Sequence, residues 1–242
     1  MAVRPCVCRR ELGHCDNSCS RDLLDTTFFP TFMNVRDRTC LVIGAGPVGL
    51  EKIEGLLAAD AHVVVVAPEA EAAVRELADE GSLVWHQRPY EPGDLDGALL
   101  VFAATSDTDL NVRVFREAER RAMLVNVVDV PPLCNFIMPA IVRNGAVSIA
   151  ISTSGASPAL AKRLKREIGE EFGEPYARLA ELLNDIRGWA KESFATYQER
   201  KVFFEDIVNG DPDPIELLRR GDERAVRDLI AERQRDAASL TA

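Results

Sequence analysis

The chain has 242 residues, of which 47% are apolar, so it can bury a sizeable core and global disorder is excluded. Its apolar runs, such as 99–104, fall far short of the roughly 20 residues that span a bilayer, so we expect neither a transmembrane helix nor a membrane partner. Lys and Arg number 29 against 39 Asp and Glu, a net charge of −10, which argues against a nucleic acid partner.

The first 27 residues show no helical or strand periodicity, and four of the six cysteines are crowded there: Cys6, Cys8, Cys15 and Cys19. With His14 these cysteines suggest a zinc or iron–sulfur site, but their spacing matches no standard finger and the segment has little apolar content. We therefore predict a disordered extension over 1–27 without a bound metal, and the alternative is that translation starts downstream. No stretch typical of a secretory signal is visible, which predicts a cytoplasmic protein with reduced thiols.

From residue 39 onward, short β-rich runs alternate with helix-compatible stretches. The predicted strands are 39–43, 62–66, 82–86, 98–103, 123–128 and 146–151, and the predicted helices are about 47–59, 70–80 and 108–121. Continuous Val, Ile and Leu runs are typical of strands buried on both faces, and their alternation with helices indicates parallel βαβ units. We predict an α/β fold with a Rossmann-type doubly wound parallel sheet over residues 28–139.

A glycine motif, G-A-G-P-V-G, directly follows the first predicted strand and opens a helix. In this setting Gly44 permits the tight turn, Gly46 lets the backbone approach a pyrophosphate, and Gly49 lets the helix pack close to the strand. The helix N-terminus adds unpaired N–H groups and a partial positive charge for the phosphates. The motif predicts a dinucleotide site, and the alternative is a glycine-rich turn without a ligand.

The second predicted strand is followed by Glu69, near the spacing expected for the acid that binds the adenine ribose hydroxyls. No arginine follows until Arg75, which favours NAD over NADP. As an alternative, Glu69 caps the next helix. Two further strand-end loops should face the cofactor, where Thr105 and Asn126 can hydrogen-bond to ribose or nicotinamide or can be ordinary cap and turn residues.

The character of the sequence changes at residues 157–158. Ser-Pro there combines a good N-cap with a good first helical residue, and an apolar stripe follows every four residues at Leu160, Leu164 and Ile168. From about residue 170 no strand pattern remains. We predict an all-helical C-terminal domain over 169–242, with one helix across 176–189 and two more after the break at 209–212.

Four motifs occur in one order: GAGPVGLEK, AATSDTDLN, NVVDVPPLCNFIMPA and ISTSGASPALAKRLK. Over residues 28 to about 168 the chain resembles the precorrin-2 dehydrogenase / sirohydrochlorin ferrochelatase family, the dehydrogenase–chelatase unit of siroheme synthase. The resemblance implies NAD-dependent oxidation of precorrin-2 to sirohydrochlorin in a homodimer. It also implies NAD contacts at Pro47, Val48, Pro68 and Glu69, and a dimerisation and substrate segment over 140–168.

The family implicates an aspartate of the N-V-V-D motif in catalysis, and that position is Asp129 here. Oxidation of the macrocycle removes a hydride and a proton, so a carboxylate at the cofactor end of a strand can act as general base. Flanking apolar residues would raise its pKa. The alternative is a turn residue before Pro131.

Precorrin-2 is a polycarboxylate, so an acidic enzyme needs a local cationic surface to bind it. Ser154 and Ser157 add neutral donors, and the candidate cations are Arg143, Lys162, Arg163, Lys165 and Arg166. The alternative for these cations is a solvated helix face.

Two other functions stay open at this stage. A bifunctional enzyme would also insert Fe²⁺ into sirohydrochlorin, although His62 and His86 lie at strand ends where structural roles are common. A regulatory Rossmann module that only senses NAD would explain the glycines and Glu69, but it has no use for Asp129 or the cationic helix.

Overall fold

The computed structural model describes residues 28–241, which form two compact units. The first unit comprises 28–138 together with 154–156, and the second comprises 139–153 together with 157–241. The predicted extension over 1–27, with its four cysteines, lies outside the described residues.

The first unit is built on a parallel sheet of strands β1 to β5, whose bounds are Thr39–Ala45, His62–Ala70, Val84–His86, Leu100–Ala103 and Leu124–Val127. Helices α1, α2 and α3 follow β1, β2 and β4 and span Pro47–Leu57, Ala72–Asp79 and Thr108–Arg120. The strand order is β3-β2-β1-β4-β5, and every neighbouring pair is parallel. This order confirms the predicted Rossmann-type sheet.

Strand β1 lies at the centre of the sheet and is buried on both faces. Cys40 and Val42 pack in one cluster with Ile53 of α1, whereas Leu41 and Ile43 pack in another with α3. Successive side chains of a strand point to opposite faces, so a strand covered on both sides must be apolar at every position. This requirement explains the continuous apolar runs in the sequence.

Strand β2 extends farther than predicted, because Ala45 pairs with Ala70 after an irregularity in the register. Pro68 and Glu69 therefore belong to the end of β2 rather than to the start of a helix. Strand β3 is shorter than predicted, and α2 begins only at Ala72.

The predicted strand 146–151 does not join the parallel sheet. It forms β7 (Val147–Ile151), which pairs antiparallel with β6 (Ala140–Asn144) in the second unit. Only the two residues 145–146 connect them, and so short a connection joins antiparallel neighbours. Strand β6 was not predicted, because its apolar residues give way to Arg143 and Asn144 after only three positions.

The rest of the second unit is helical, as predicted. Helices α4 to α9 span Pro158–Glu171, Glu174–Asp185, Arg187–Ser193, Tyr197–Val208, Pro214–Arg219 and Glu223–Thr241. Their core contains Leu182, Ile207 and Val226. The predicted helix 176–189 is interrupted at Ile186, and α7 was not predicted at all.

Helix α4 begins where the sequence predicts, since the Ser157 hydroxyl accepts a hydrogen bond from the Leu160 N–H at 3.2 Å. Its apolar stripe, however, is not buried within the chain: Leu160 is 47% exposed, and Leu164 and Ile168 are only half-buried. In the part of the chain that the structure describes, no helix combines the length and apolar character needed to cross a membrane.

Candidate functional site

A cavity of about 800 Å³, here called the strand-end pocket, lies within the first unit at the carboxyl ends of the parallel strands. Its walls come from the ends of β1 and β2, from the segments that follow β1, β3, β4 and β5, and from two side chains of α3. The lining includes residues 43–48, 66–69, 89–90, 104–107 and 128–129, together with Leu110 and Arg113. Ligands of open α/β sheets bind at this edge.

The glycine turn forms the floor of the strand-end pocket. Gly44 has a φ of +97°, and a Cβ at this position would lie 2.5 Å from the Ala104 carbonyl oxygen. A Cβ on Gly49 would lie 2.2 Å from the Gly44 carbonyl oxygen. Gly46, in contrast, has open space around it, as the predicted approach to a pyrophosphate requires.

The start of α1 is suited to an anion. Its N-cap, Gly46, offers no side-chain cap, Pro47 is the first helical residue, and the first turn contains no acidic residue. The helix dipole is therefore not neutralised by this turn, and the N–H groups of the N-terminus can donate hydrogen bonds to phosphate oxygens. Pro47 and Val48 line the pocket, whereas Gly49 serves the packing behind it.

The end of β2 places Pro68 and Glu69 on the pocket wall, both with exposed side chains. Glu69 does not cap α2, because the N-cap of that helix is Glu71. Arg75 is held elsewhere, with its Nε donating to the Ala70 carbonyl at 3.0 Å, and it does not line the pocket.

Thr105 lines the pocket, but its hydroxyl is engaged within its own loop. It donates to Asn111 Oδ1 at 2.8 Å, and the Asn111 amide donates back to the Thr105 carbonyl at 2.9 Å. Asp107 adds the N-cap of α3 by accepting from the Leu110 N–H. Asn111 is buried, so these contacts hold the loop in one shape.

Asn126 is placed differently from the prediction. It is only 8% exposed, does not line the strand-end pocket, and donates from Nδ2 to the Phe136 carbonyl at 2.9 Å. The amide thus ties the chain after β5 to the sheet. A polar residue inside an apolar strand indicates a hydrogen-bonding role, but the sequence does not reveal which partner it finds.

Asp129 lies on the pocket wall just after β5, with a left-handed backbone at φ +59°. Its side chain is exposed, so residues 28–241 do not provide the apolar enclosure expected from the flanking residues. The reason is geometric: β5 ends at Val127, and the turn that follows directs residue 129 away from the buried strand. Non-glycine residues adopt this conformation uncommonly, and such strain is concentrated at functional sites.

Tyr90 and Arg113 also line the pocket, although the sequence did not predict a role for either. Tyr90 is 6% exposed, and burial raises the pKa of its hydroxyl, which therefore stays protonated at neutral pH. The Arg113 guanidinium carbon lies 5.6 Å from the centre of the Tyr90 ring. The position of Tyr90 beyond a parallel strand was a usable signal, whereas Arg113 resembled the other charges of α3.

The structure does not bring all the predicted substrate-binding residues together. Arg143 of β6 and Lys165 of α4 line a groove of about 360 Å³ in the second unit, together with Asn144 and Gly169. Arg163 instead forms an ion pair with Glu167 at 2.7 Å, so its charge is partly neutralised.

The remaining members of the predicted set are more dispersed. Lys162 and Arg166 are exposed and, within residues 28–241, have no ion pair. Ser157 caps α4, and Ser154 has a left-handed backbone at φ +51°. Among the described residues, no group of three or more His, Cys, Asp or Glu side chains is arranged to hold a metal ion.

Three family models match successive parts of the chain. The NAD(P)-binding model matches residues 31–140, the sirohaem biosynthesis protein central model matches 144–171, and the sirohaem synthase dimerisation region matches 175–233. The order of these matches follows the two units of the fold.

Curated relatives and a solved structure agree with these models. A siroheme synthase of Methylobacillus flagellatus is 41% identical over 75% of this chain and 39% of its own length, and one of Pseudoalteromonas atlantica is 40% identical over 76% and 40%. The chain therefore spans about two-fifths of the length of these relatives. The structure of SirC, a precorrin-2 dehydrogenase, matches with a TM-score of 0.71 and 25% identity, covering 85% of this chain and all of SirC.

The fold and the strand-end pocket define the class: this is an NAD(P)-binding Rossmann protein. The chain contains the NAD(P)-binding, sirohaem biosynthesis central and sirohaem synthase dimerisation regions, and it is similar to siroheme synthases and to the precorrin-2 dehydrogenase SirC.

Proposed function

We propose that the chain oxidises precorrin-2 to sirohydrochlorin with NAD⁺ as the acceptor. The observation that carries this proposal is the strand-end pocket, which brings together the glycine turn, Glu69 and Asp129 in one cavity. The siroheme synthases and the precorrin-2 dehydrogenase SirC among its relatives support the choice of substrate.

The residues of the pocket fit a dinucleotide. The uncapped start of α1 and the open space at Gly46 suit a pyrophosphate, and the exposed Glu69 suits a pair of ribose hydroxyls. A carboxylate at this place repels an additional phosphate, so we propose NAD rather than NADP. When bound, NAD⁺ supplies a nicotinamide ring that accepts a hydride.

Asp129 is proposed as the general base. The oxidation removes two electrons and two hydrogens from precorrin-2, one as a hydride and the other as a proton, and an exposed carboxylate on the pocket wall can accept the proton. Its left-handed backbone gives this side chain an orientation that differs from the regular alternation of side chains along β5.

The polycarboxylate substrate is proposed to bind cations of the second unit. Arg143 and Lys165 share one groove, and Lys162 and Arg166 lie exposed on the same helix, α4. Ser154 and Ser157 are the neutral donors of this proposal, whereas Arg163 contributes less because of its pair with Glu167.

We further propose that the protein works as a cytoplasmic homodimer. The match to a dimerisation region and the incompletely buried apolar stripe of α4 support the dimer. Free thiols at Cys40 and Cys134 are in keeping with a reducing compartment.

The decisive experiment is an anaerobic incubation of the full chain with precorrin-2 and NAD⁺, in which sirohydrochlorin absorbance and NADH fluorescence are followed together. We expect both signals to rise in equal amounts and to stop when either substrate is omitted. If NAD⁺ binds but no product forms, the chain is a sensor and the proposed dehydrogenase activity is wrong.

Insertion of Fe²⁺ is a separate prediction and needs its own assay. The protein is supplied with sirohydrochlorin and Fe²⁺ under anaerobic conditions without NAD⁺. Siroheme formation above the rate without protein would assign the chelatase activity, and an unchanged rate would restrict the chain to the oxidation.

A further inference from the structure

Arg113 is an unusual arginine among those of α3. Its side chain is exposed and lines the strand-end pocket, and within residues 28–241 it has neither a hydrogen bond nor an ion pair. Arg120, at the end of the helix, and Arg121, its C-cap, both pair with Glu117. Arg113 is therefore a cation available to a ligand of this pocket.

The Tyr90 ring fixes where the Arg113 guanidinium lies. Tyr90 is buried in the core cluster that includes Leu95 and Val114, so its ring is held firmly. The guanidinium carbon lies over this ring at 5.6 Å from its centre. A guanidinium is planar, so one held beside an aromatic ring can offer a face to a second flat group.

Arg113 reaches the pocket from α3, which follows β4, and its contact with Tyr90 relates it to the strands on the other side of β1. Tyr90 follows β3 and Glu69 ends β2, and these two strands are neighbours on one side of the glycine turn of β1. Asp129 follows β5 on the opposite side, beyond β4. A dinucleotide whose pyrophosphate lies over the glycine turn thus places one nucleoside near Glu69 and Tyr90 and the other near Asp129.

We propose that Arg113, supported by Tyr90, is the stacking platform for the adenine ring of the cofactor. This inference rests on the proposed function, since it assigns a residue to one half of the same dinucleotide. Pro68 and Pro89, which also line the pocket, add apolar surface on the β2 and β3 side. Arg113 is then a determinant of cofactor affinity that acts far from the reacting atoms.

The test is a set of dissociation constants measured by calorimetry. For Arg113→Ala we expect the Kd for NAD⁺ and for AMP to rise roughly 3- to 30-fold, the range of one cation–π contact. The Kd for nicotinamide mononucleotide, which lacks adenine, should stay unchanged. Arg120→Ala serves as the control, because this arginine lies on the same helix outside the pocket.

Arg113→Lys separates stacking from simple charge attraction. A lysine keeps the positive charge and can still approach a ring as a cation, but it has no planar group to stack, so we expect it to recover only part of the affinity lost with alanine. A wild-type Kd in Arg113→Lys, or an unchanged Kd in Arg113→Ala, would contradict the proposal that Arg113 stacks on the adenine ring. If the wild-type protein binds neither NAD⁺ nor AMP, the proposed function itself fails, which is a different result.

Discussion

At the scale of single residues, backbone geometry shapes the site more than side-chain chemistry does. Asp129 has a left-handed backbone on the pocket wall, and Gly44 has one on the pocket floor. Aspartate and asparagine adopt this region more readily than other residues with a side chain, so position 129 can hold a carboxylate where most residues would be strained.

The role of Asp129 can be separated from its backbone strain by Asp129→Asn. Asparagine tolerates the same positive φ but cannot accept the proton, so we expect kcat to fall by about a hundredfold or more while the Kd for NAD⁺ and the melting temperature stay close to wild type. Asp37→Asn is the matched control, since Asp37 has a φ of +57° outside the pocket. An equal loss of NAD⁺ binding would make Asp129 a structural residue.

Two glycines of the turn should respond differently to the same substitution. Gly49→Ala places a methyl group against the Gly44 carbonyl, so we expect it to lower the free energy of unfolding by about 1–3 kcal/mol. Gly46→Ala meets open space and should leave stability within about 1 kcal/mol of wild type while raising the Kd for NAD⁺ roughly tenfold. Urea titration measures the change in stability, and calorimetry measures the change in Kd. Identical changes in both variants would contradict the assignment of Gly49 to packing and of Gly46 to cofactor binding.

At the scale of elements, the helices of the second unit are joined by specific ion pairs as well as by their apolar core. Arg178 of α5 donates to both carboxylate oxygens of Glu223 at 2.7 Å, and Glu223 is the first residue of α9. These bonds, with help from Arg227, lower the pKa of Glu223 to about 2. Bidentate pairs of this kind fix geometry as well as charge.

The lowered pKa predicts how acid acts on the second unit. The native state binds the Glu223 proton more weakly than the unfolded state, so its stabilisation is present above about pH 4.5 and is lost as the pH falls toward 2. The free energy of unfolding, followed by Trp189 fluorescence in a Trp85→Phe background, should therefore fall between about pH 4.5 and pH 2. Glu223→Gln should reduce this dependence on pH. Asp228→Asn, which removes an exposed pair with Arg224, should leave the profile unchanged.

The sequence predicted some elements better than others for physical reasons. The parallel strands are continuous apolar runs because both of their faces are covered, and the glycine turn and Glu69 follow from local spacing. Helix α7 escaped prediction because Tyr197, Val202 and Val208 are apolar yet exposed, which blurs its stripe. The meeting of Tyr90 and Arg113 depends on tertiary packing between a loop and a helix, and no local pattern contains it.

At the scale of the whole molecule, charge is unevenly distributed. The chain has a net charge of −10, yet Arg143 and Lys165 face the same groove without an acidic side chain in its lining. An acidic protein that presents a small cationic surface can attract a polyanion there while it repels polyanions elsewhere.

Charge reversal in this groove should weaken substrate binding. For Lys165→Glu we expect the KM for precorrin-2 to rise roughly 3- to 10-fold, with kcat little changed and with a smaller dependence of KM on salt than in wild type. Lys191→Glu makes the same change of net charge on α6, away from the groove, and should behave like wild type. Equal effects of the two variants would indicate that the cations of α4 form a solvated helix face and do not bind the substrate.

The floor of the strand-end pocket is main chain at its closest points, since Gly44 and Gly49 leave no room for side chains beside the Ala104 and Gly44 carbonyls. Such a surface offers almost nothing for mutation to adjust without breaking the turn. We expect substitutions that change cofactor preference or substrate to be tolerated more readily on the pocket wall, for example at Glu69, Arg113 and Asp129. A protein engineer seeking a new acceptor or a new substrate should randomise these three positions and leave the floor alone.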